Sequence, residues 1–339
     1  MKTIVHASIA LLAGSLILQA GASYKLLTTY PVPNTGTGTF DYITIDSAAR
    51  RLYLSHQTRV EVLNADTGKA VGFIPDTPGV HGAAIVSKFN HGFTTNGDEA
   101  KVSMFDLKTL KVIKKIDVGP DVDSFVYDAG SGRVFVSCHE SKDITAIDPA
   151  KGEVVGKLDV GGAAEQMVSG GNGLMYANIE QLGEVLAFDA KTLQIRNHFP
   201  AAGCTQASGL AVDTKNLRLF MGCRSKIMFV MDGHDGRIVT QMPIGAKNDN
   251  AWFDPQQRLV FVSNGEGVLN IFHQKGPDEY EDAGAVTTEP NAKTSAFDAK
   301  TGKVFLLSGQ FESIPAADPS QKPKRKTKEG TYKVLVVGK

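Results

Sequence analysis

Three histidines and several carboxylates are the residues of this chain that could take part in the most kinds of chemistry. His56, His81 and His139 could carry protons or bind a metal ion, and carboxylates in comparable segments could act as ligands, acids or bases. Amide and guanidinium side chains among them could orient a polar ligand. The predicted site residues are His56, His81, Asp123, His139, Glu165, Glu180, Gln206, Arg224, Asn250 and Asn264.

No local motif selects one chemistry for these residues. Metal ligands do not recur at a diagnostic spacing, and the chain has no Gly-x-Ser-x-Gly nucleophile motif. The histidines fall in separate parts of the chain, so the sequence does not predict that they meet. The polarity of surface loops is the simpler explanation for the whole set. The sequence leaves metal binding open and identifies no cofactor.

A repeat of about 42 residues must position these side chains. A tetrapeptide led by an aromatic residue or methionine recurs at intervals of 40 to 45 positions. Its copies begin at Tyr53, Phe93, Phe135, Met175, Phe220, Phe261 and Phe305. Such a period indicates stacked copies of one structural unit.

Turn residues divide each period into short β-rich segments. One column of aspartates precedes the tetrapeptide by seven residues, at Asp46, Asp128, Asp213, Asp254 and Asp298. Another column of turn residues follows it, at Asn64, Asp106, Asp148, Asp189 and Asp232. Aspartate and asparagine are favoured in hairpin turns because they accept hydrogen bonds from the turn's own backbone. Each period therefore holds four strands, which is one blade of a propeller.

The predicted fold is an all-β, seven-bladed β-propeller of four-stranded blades. The last repeat lacks its fourth strand, and residues 24–32 supply a candidate that would complete blade seven and close the ring. An open array of β-sandwiches or a right-handed β-helix is the alternative architecture.

The tetrapeptide column resembles the Tyr-Val-Thr-Asn signature of the YVTN family of propellers. Phe93-Thr94-Thr95-Asn96 and Phe261-Val262-Ser263-Asn264 match it best, and the resemblance covers residues 23–339. It implies an exported bacterial seven-bladed propeller, a group in which many members lack a defined activity. The motif builds blades, so the resemblance concerns fold rather than function.

The first 22 residues have the pattern of a signal peptide. Lys2 precedes the apolar stretch 9–18, and Ala20-Gly21-Ala22 offers a cleavage site. A membrane anchor or buried helix is the alternative, but the stretch is shorter than the roughly 20 residues that a spanning helix needs. We expect cleavage near Ala22, a single propeller domain over 23–339, and a periplasmic or secreted location.

The chain has three cysteines, none of them in a Cys-x-x-Cys pair. Cys204 precedes the first strand of blade five and Cys223 ends the second, so hairpin pairing would set them nearly opposite. The sequence predicts a disulfide between them, with free buried thiols as the alternative. Cys138 then has no obvious partner.

Charge is balanced overall, with 36 basic and 36 acidic residues, so no global field favours nucleic acid or an anionic membrane. The exception is an insertion in blade seven, residues 309–330, which is proline-rich and basic. We expect it to be a mobile loop that either contacts an anionic partner or has no partner.

The sequence favours an exported, non-catalytic binding or scaffold propeller that acts through its axial loop face. Its partner would be a small polar ligand, a cell-envelope component or a protein. The alternative is a propeller enzyme, lactonase-like or quinone- or metal-linked dehydrogenase-like, because sites assembled from dispersed loops leave no local motif. We expect a monomer without specific nucleic-acid binding, and no second hydrophobic span follows residue 22.

Overall fold

The structure, a computed structural model, describes residues 23–33, 38–314 and 324–339. The predicted signal peptide, residues 1–22, lies outside the described residues. The strands, in chain order, are β1 (Lys25–Pro31), β2 (Ile43–Asp46), β3 (Arg51–His56), β4 (Arg59–Asn64), β5 (Ala70–Ile74), β6 (Val80–Val86), β7 (His91–Asn96), β8 (Lys101–Asp106), β9 (Val112–Asp117), β10 (Val122–Asp128), β11 (Arg133–Cys138), β12 (Asp143–Asp148), β13 (Glu153–Asp159), β14 (Ala164–Ser169), β15 (Leu174–Ile179), β16 (Glu184–Asp189), β17 (Ile195–Pro200), β18 (Ala207–Asp213), β19 (Arg218–Cys223), β20 (Ile227–Asp232), β21 (Ile238–Pro243), β22 (Asn248–Asp254), β23 (Leu259–Asn264), β24 (Val268–Gly276), β25 (Glu279–Thr287), β26 (Ser295–Asp298), β27 (Lys303–Ser308), β28 (Phe311–Ile314), β29 (Lys324–Thr327) and β30 (Lys333–Gly338). Within the described residues there are also three single-turn 3-10 helices, at Ser87–Phe89, Gly97–Glu99 and Glu180–Leu182.

These strands form a seven-bladed propeller, as the repeat predicts. Blades one to six are the consecutive antiparallel sheets β2–β5, β6–β9, β10–β13, β14–β17, β18–β21 and β22–β25. Blade seven has the order β1-β30-β27-β26. The innermost strand of each blade contacts that of the next, and β26 contacts β2, so the blades form a ring.

The N-terminal strand completes blade seven. β1 pairs antiparallel with β30, from Lys25 opposite Gly338 to Pro31 opposite Lys333. The backbone N–H of Val32 donates to Tyr332 O at 3.0 Å just beyond the last pair. The first and last strands of the described chain are thus joined in one sheet, which is the closure that the sequence predicts.

The core lies between blades. The tetrapeptide aromatics Tyr53, Phe93 and Phe135 are fully buried in the second strand of their blades. Among the described residues, each of the seven interfaces between neighbouring blades holds one apolar cluster. A blade covers its faces only by stacking on its neighbours, and this explains why the motif specifies the ring.

The aspartates that precede the tetrapeptide cap the turn between the first two strands. Asp46 Oδ1 accepts the backbone N–H of Ala48 at 3.0 Å and of Ala49 at 2.9 Å. Asp128 accepts from its own turn and also from Ser169 Oγ of the next blade, at 2.6 Å. These residues, here called the turn aspartates, are Asp46, Asp128, Asp213, Asp254 and Asp298.

Cys204 and Cys223 form a disulfide with a Cα–Cα distance of 5.5 Å, the pair that the hairpin register predicts. It ties the loop before β18 to the end of β19. Cys138 is a free, buried thiol, and burial raises its pKa to about 11. Such a thiol is a poor nucleophile at neutral pH.

The described ends of the insertion in blade seven form a β-ribbon in which β28 pairs antiparallel with β29. The mobility expected of the insertion stays a prediction. The guanidinium of Arg325 lies 4.5 Å from the ring centre of Phe311, which stacks on Phe40 at 5.0 Å. A basic side chain can therefore pack on an aromatic across the ribbon, a contact that composition does not reveal. The proline-containing part, 315–323, lies outside the described residues.

None of the described helices has the length and apolar character required to cross a membrane.

Candidate functional site

The candidate site is the end of the axial channel at which the innermost strands begin. The second residue of β6, β10, β14 and β22 is, respectively, His81, Asp123, Glu165 and Asp249. Because the ring brings these strand starts around one axis, equivalent positions of different blades meet there. We call the resulting group the mouth, and it consists of Asp41, His81, Asp123, His139, Glu165, Asp249 and Lys293.

A chain of polar contacts joins mouth residues of different blades. His81 Nδ1 lies 2.9 Å from Asp41 Oδ2 and 2.9 Å from Asp123 Oδ1. His139 Nε2 lies 3.2 Å from Asp123 Oδ2 and 2.9 Å from the carbonyl oxygen of Ala164. The two carboxylate oxygens of Asp123 therefore face two different histidines.

Lys293 extends these contacts to the far side of the mouth. Its Nζ lies 3.5 Å from Asp41 Oδ1 and forms a shorter ion pair with Asp249. Burial would lower the pKa of Lys293, but the charges of Asp249 and Asp41 raise it overall. Lys293 is therefore a fixed cation between two carboxylates.

The carboxylates beside His81 determine its charge state. Burial alone would lower the pKa of His81, but Asp123 and Asp41 raise it well above its usual value. Burial would raise the pKa of Asp123, yet His81 lowers it to about 2. At neutral pH the structure thus holds an imidazolium between two carboxylates.

The mouth nevertheless carries an excess of acidic groups. Burial raises the pKa of Glu165 well above its usual value, and the charges of Asp123 and Asp249 raise it further. Burial also raises the pKa of Asp249, although Lys293 opposes that change. These shifts show that another positive charge would be favourable in the mouth.

Gln166, next to Glu165 on β14, reaches across the channel. Its Oε1 accepts from Leu210 N at 2.8 Å and from Asn250 Nδ2 at 3.1 Å, so its side chain reaches from blade four to blades five and six. Below it, an axial cavity of about 470 Å³ is lined by innermost-strand side chains that include Phe125 and Trp252. Its size is that of a small-molecule pocket.

An acidic groove leads away from the mouth over blades two to four. This acidic groove has a volume of about 970 Å³ and is lined by Asp98, Asp121, Glu140 and Glu180 together with His139. The first three of these carboxylates are exposed, and among the described residues none of the three forms an ion pair. A neutral protein therefore concentrates negative charge on one face.

The structure brings together four of the predicted site residues in the mouth: His81, Asp123, His139 and Glu165. Three others form a group at its edge, where Glu180 Oε1 accepts from Gln206 Nε2 at 3.2 Å and lies 3.6 Å from Arg224. Asn250 lies inside the channel, where it donates to Gln166 and accepts from Ser295 N at 2.9 Å.

Two predicted site residues lie away from the mouth. His56 is buried against Tyr332, with ring centres 4.9 Å apart, because its strand ends under the β1–β30 closure. Asn264 is buried within blade six, where its amide donates to Val262 O and Val268 O. Both residues end a tetrapeptide, and that position serves blade packing.

Four residues that the structure places in or under the mouth are not among the ten selected from the sequence: Gln166, and also Asp41, Asp249 and Lys293, which belong to the polar segments before the innermost strands from which the ten were selected. Asp249 shares its strand position with His81, Asp123 and Glu165, so alignment of the innermost strands could have found it. Gln166 follows Glu165 on the same strand, and nothing in the sequence shows that its side chain crosses the channel.

Comparison with known proteins supports the fold. No protein-family model matches the chain. The uncharacterized protein YncE of Salmonella typhi is 23% identical over 181 residues, which are 51% of this chain and 51% of YncE, and YncE of Salmonella typhimurium gives the same values. The chain thus matches about half the length of these curated relatives.

Solved structures share the architecture at low identity. A chain of hydrazine synthase from Kuenenia stuttgartiensis aligns with a TM-score of 0.70 and 14% identity, over 88% of this chain and 99% of that one. The WD40 repeats of RRP9 align with a TM-score of 0.76 and 8% identity, over 94% and 98%. At these identities the likeness concerns the fold alone.

Proposed function

We propose that this protein is an exported, non-catalytic binding propeller that recognises a positively charged ligand or protein segment on its mouth face. The observation that carries the proposal is the acidic groove joined to an acidic mouth in a chain of zero net charge. Export rests on the N-terminal signal pattern and on the resemblance to the YVTN family. Charge complementarity of this kind selects partners and speeds their encounter.

Oligolysine is a direct probe of this function. The variant Asp121→Asn/Glu140→Gln removes two exposed carboxylates from the acidic groove. We expect calorimetry at low salt to show oligolysine binding about three- to tenfold weaker, because exposed ion pairs contribute roughly 0.2–1 kcal/mol each. Added salt should weaken binding to the unaltered protein more than binding to the variant.

A matched control lies on the outer strand of the same blade. Glu153→Gln removes a carboxylate at the turn end of β13, far from the acidic groove, and should leave the affinity unchanged. Equal losses in the two variants would show that only total charge matters and would overturn the proposed site. Absence of any oligolysine binding to the unaltered protein would also overturn the proposed site.

Catalysis at the mouth is the second candidate function, and the convergence of His81, Asp123, His139 and Glu165 favours it. Burial and the neighbouring carboxylates raise the pKa of Glu165, which favours the protonated form that a general acid needs. Hydrolysis of a panel of lactones by the purified protein tests this function. Turnover that Glu165→Gln abolishes would support it, and turnover that persists in that variant would contradict it.

A further inference from the structure

Two carboxylate oxygens in the mouth, Asp41 Oδ1 and Asp123 Oδ1, are buried without a hydrogen bond. The side chain of Asp123 is more than nine-tenths buried, with 6% of the residue exposed. Its Oδ1 lies 2.9 Å from His81 Nδ1 but has no hydrogen bond. The single N–H at His81 Nδ1 is hydrogen-bonded to Asp41 Oδ2 at the same distance, and one N–H cannot serve two carboxylates well.

A divalent cation would satisfy both carboxylates at once. One oxygen of Asp41, one of Asp123 and a ring nitrogen of His81 all lie within 4.8 Å of one another. In place of that proton, a cation there would bind the imidazole nitrogen and both carboxylates. It would also bring positive charge to a mouth in which Asp41, Asp123, Glu165 and Asp249 place four carboxylates close together.

We propose that the mouth binds a divalent first-row transition metal ion through Asp41, His81 and Asp123. Imidazole with carboxylates is a ligand set suited to Zn²⁺, Mn²⁺ and Fe²⁺, whereas Ca²⁺ and Mg²⁺ prefer oxygen alone. The inference deepens the proposed function, since it rests on the mouth being a binding site.

Two neighbouring residues hold the ligands in position. His139 contacts Asp123 Oδ2, the oxygen that points away from His81, and is itself fixed by Ala164 O. Lys293 contacts Asp41 Oδ1, again the oxygen not facing His81. The second oxygen of each carboxylate thus faces a neighbouring basic side chain, as in metal sites whose outer contacts orient the ligands.

A second grouping, Asp123, His139 and Glu165, also brings ligand atoms within 4.8 Å. It is the weaker site because His139 Nε2 already contacts the carbonyl oxygen of Ala164. The first grouping also stays accessible, since the side chains of His81 and Asp41 are 31% and 22% exposed. Three protein ligands leave coordination positions for a donor atom of the partner.

Metal content and affinity test the proposal. We would strip the full chain with a chelator, dialyse it against Mn²⁺ or Zn²⁺, and measure bound metal by mass spectrometry and affinity by calorimetry. We expect one bound ion in the unaltered protein and its loss in Asp41→Asn and His81→Gln. The positioning variant His139→Gln should keep the site but weaken it by about 10- to 100-fold. Unfolding midpoints would verify that each variant folds.

The control is a histidine–carboxylate pair outside the mouth. His198 Nδ1 lies 2.7 Å from Glu184 on the outer strands of blade four, and His198→Gln should leave metal binding unchanged. No bound ion in the unaltered protein, or binding that survives Asp41→Asn and His81→Gln, would overturn the proposal. Oligolysine binding, measured in parallel, separates the metal proposal from the proposed function. Metal binding can be absent while the peptide still binds, and the peptide can fail to bind while the metal is bound.

Discussion

The two ends of strand β10 carry the same residue type in opposite situations. Asp128, at the turn end, accepts from Ser131 N and from Ser169 Oγ, both at 2.6 Å. Asp123, at the mouth end, faces only side chains of other segments and keeps one buried oxygen without a hydrogen bond. One end of a blade thus uses its aspartates to cap its own turn, while the other brings together carboxylates of several blades, among which burial raises the pKa of Glu165 and of Asp249.

Asp298 should show the largest effect among the turn aspartates. It is fully buried, and one oxygen lies 2.6 Å from Arg50 of blade one. We expect Asp298→Asn to lower the free energy of unfolding in urea by about 3 kcal/mol, because it leaves a partly buried guanidinium without this partner. Asp66→Asn removes the exposed partner of Arg50 and should cost less than about 1 kcal/mol. Similar losses in both variants would contradict this assignment.

In blade five, a disulfide holds the loop before β18, at the mouth end of the blade. Replacing both members of the disulfide, Cys204→Ser/Cys223→Ser, should lower the free energy of unfolding by about 3 kcal/mol, because a loop of 19 residues is no longer closed in the unfolded chain. Cys138→Ala is the control for loss of a thiol and keeps the disulfide. An unfolding midpoint that does not change on reduction of the unaltered protein would contradict the prediction.

Asp128→Asn tests the turn end of β10 and should cost about 2 kcal/mol at neutral pH, since hydrogen bonds to a charged acceptor are lost. Burial would raise the pKa of Asp128, but hydrogen bonds from Ser131 and Ser169 lower it overall. A lowered folded pKa gives stability that is present above the ordinary value of about 3.9 and lost as pH falls through the folded value.

The difference in the free energy of unfolding between Asp128→Asn and the unaltered protein should therefore shrink as the pH falls from 6 towards the acid range. Urea unfolding at a series of pH values measures it. A difference that stays constant over this range would show that the Asp128 charge is not the stabilising feature.

Glu165→Gln should have the smallest effect on stability. Burial and the charges of Asp123 and Asp249 raise the pKa of Glu165, so the neutral amide replaces a carboxylate whose charge the folded state disfavours, and we expect the free energy of unfolding to stay within about 1 kcal/mol of the unaltered value. Urea unfolding of this variant beside Asp128→Asn makes the comparison direct. A loss as large as that of Asp128→Asn would mean that Glu165, too, serves the fold.

The sequence predicts the turn end of the blades better than the mouth. Turn aspartates recur at one offset from the tetrapeptide and bond to their own backbone, so periodicity alone identifies them. Mouth residues differ from blade to blade, as His81, Asp123 and Glu165 do, and they meet only because the ring brings distant strands together. Contacts such as that of Gln166 with Asn250 depend on side-chain direction across the channel, which no local pattern specifies.

The most direct test of this account is the Mn²⁺ affinity of the two β10 variants, measured by calorimetry under one set of conditions. We predict that Asp128→Asn binds the ion as the unaltered protein does and that Asp123→Asn does not bind it. Equal affinities in the two variants would contradict the account, because the mouth would then be no more specialised for binding than the turns.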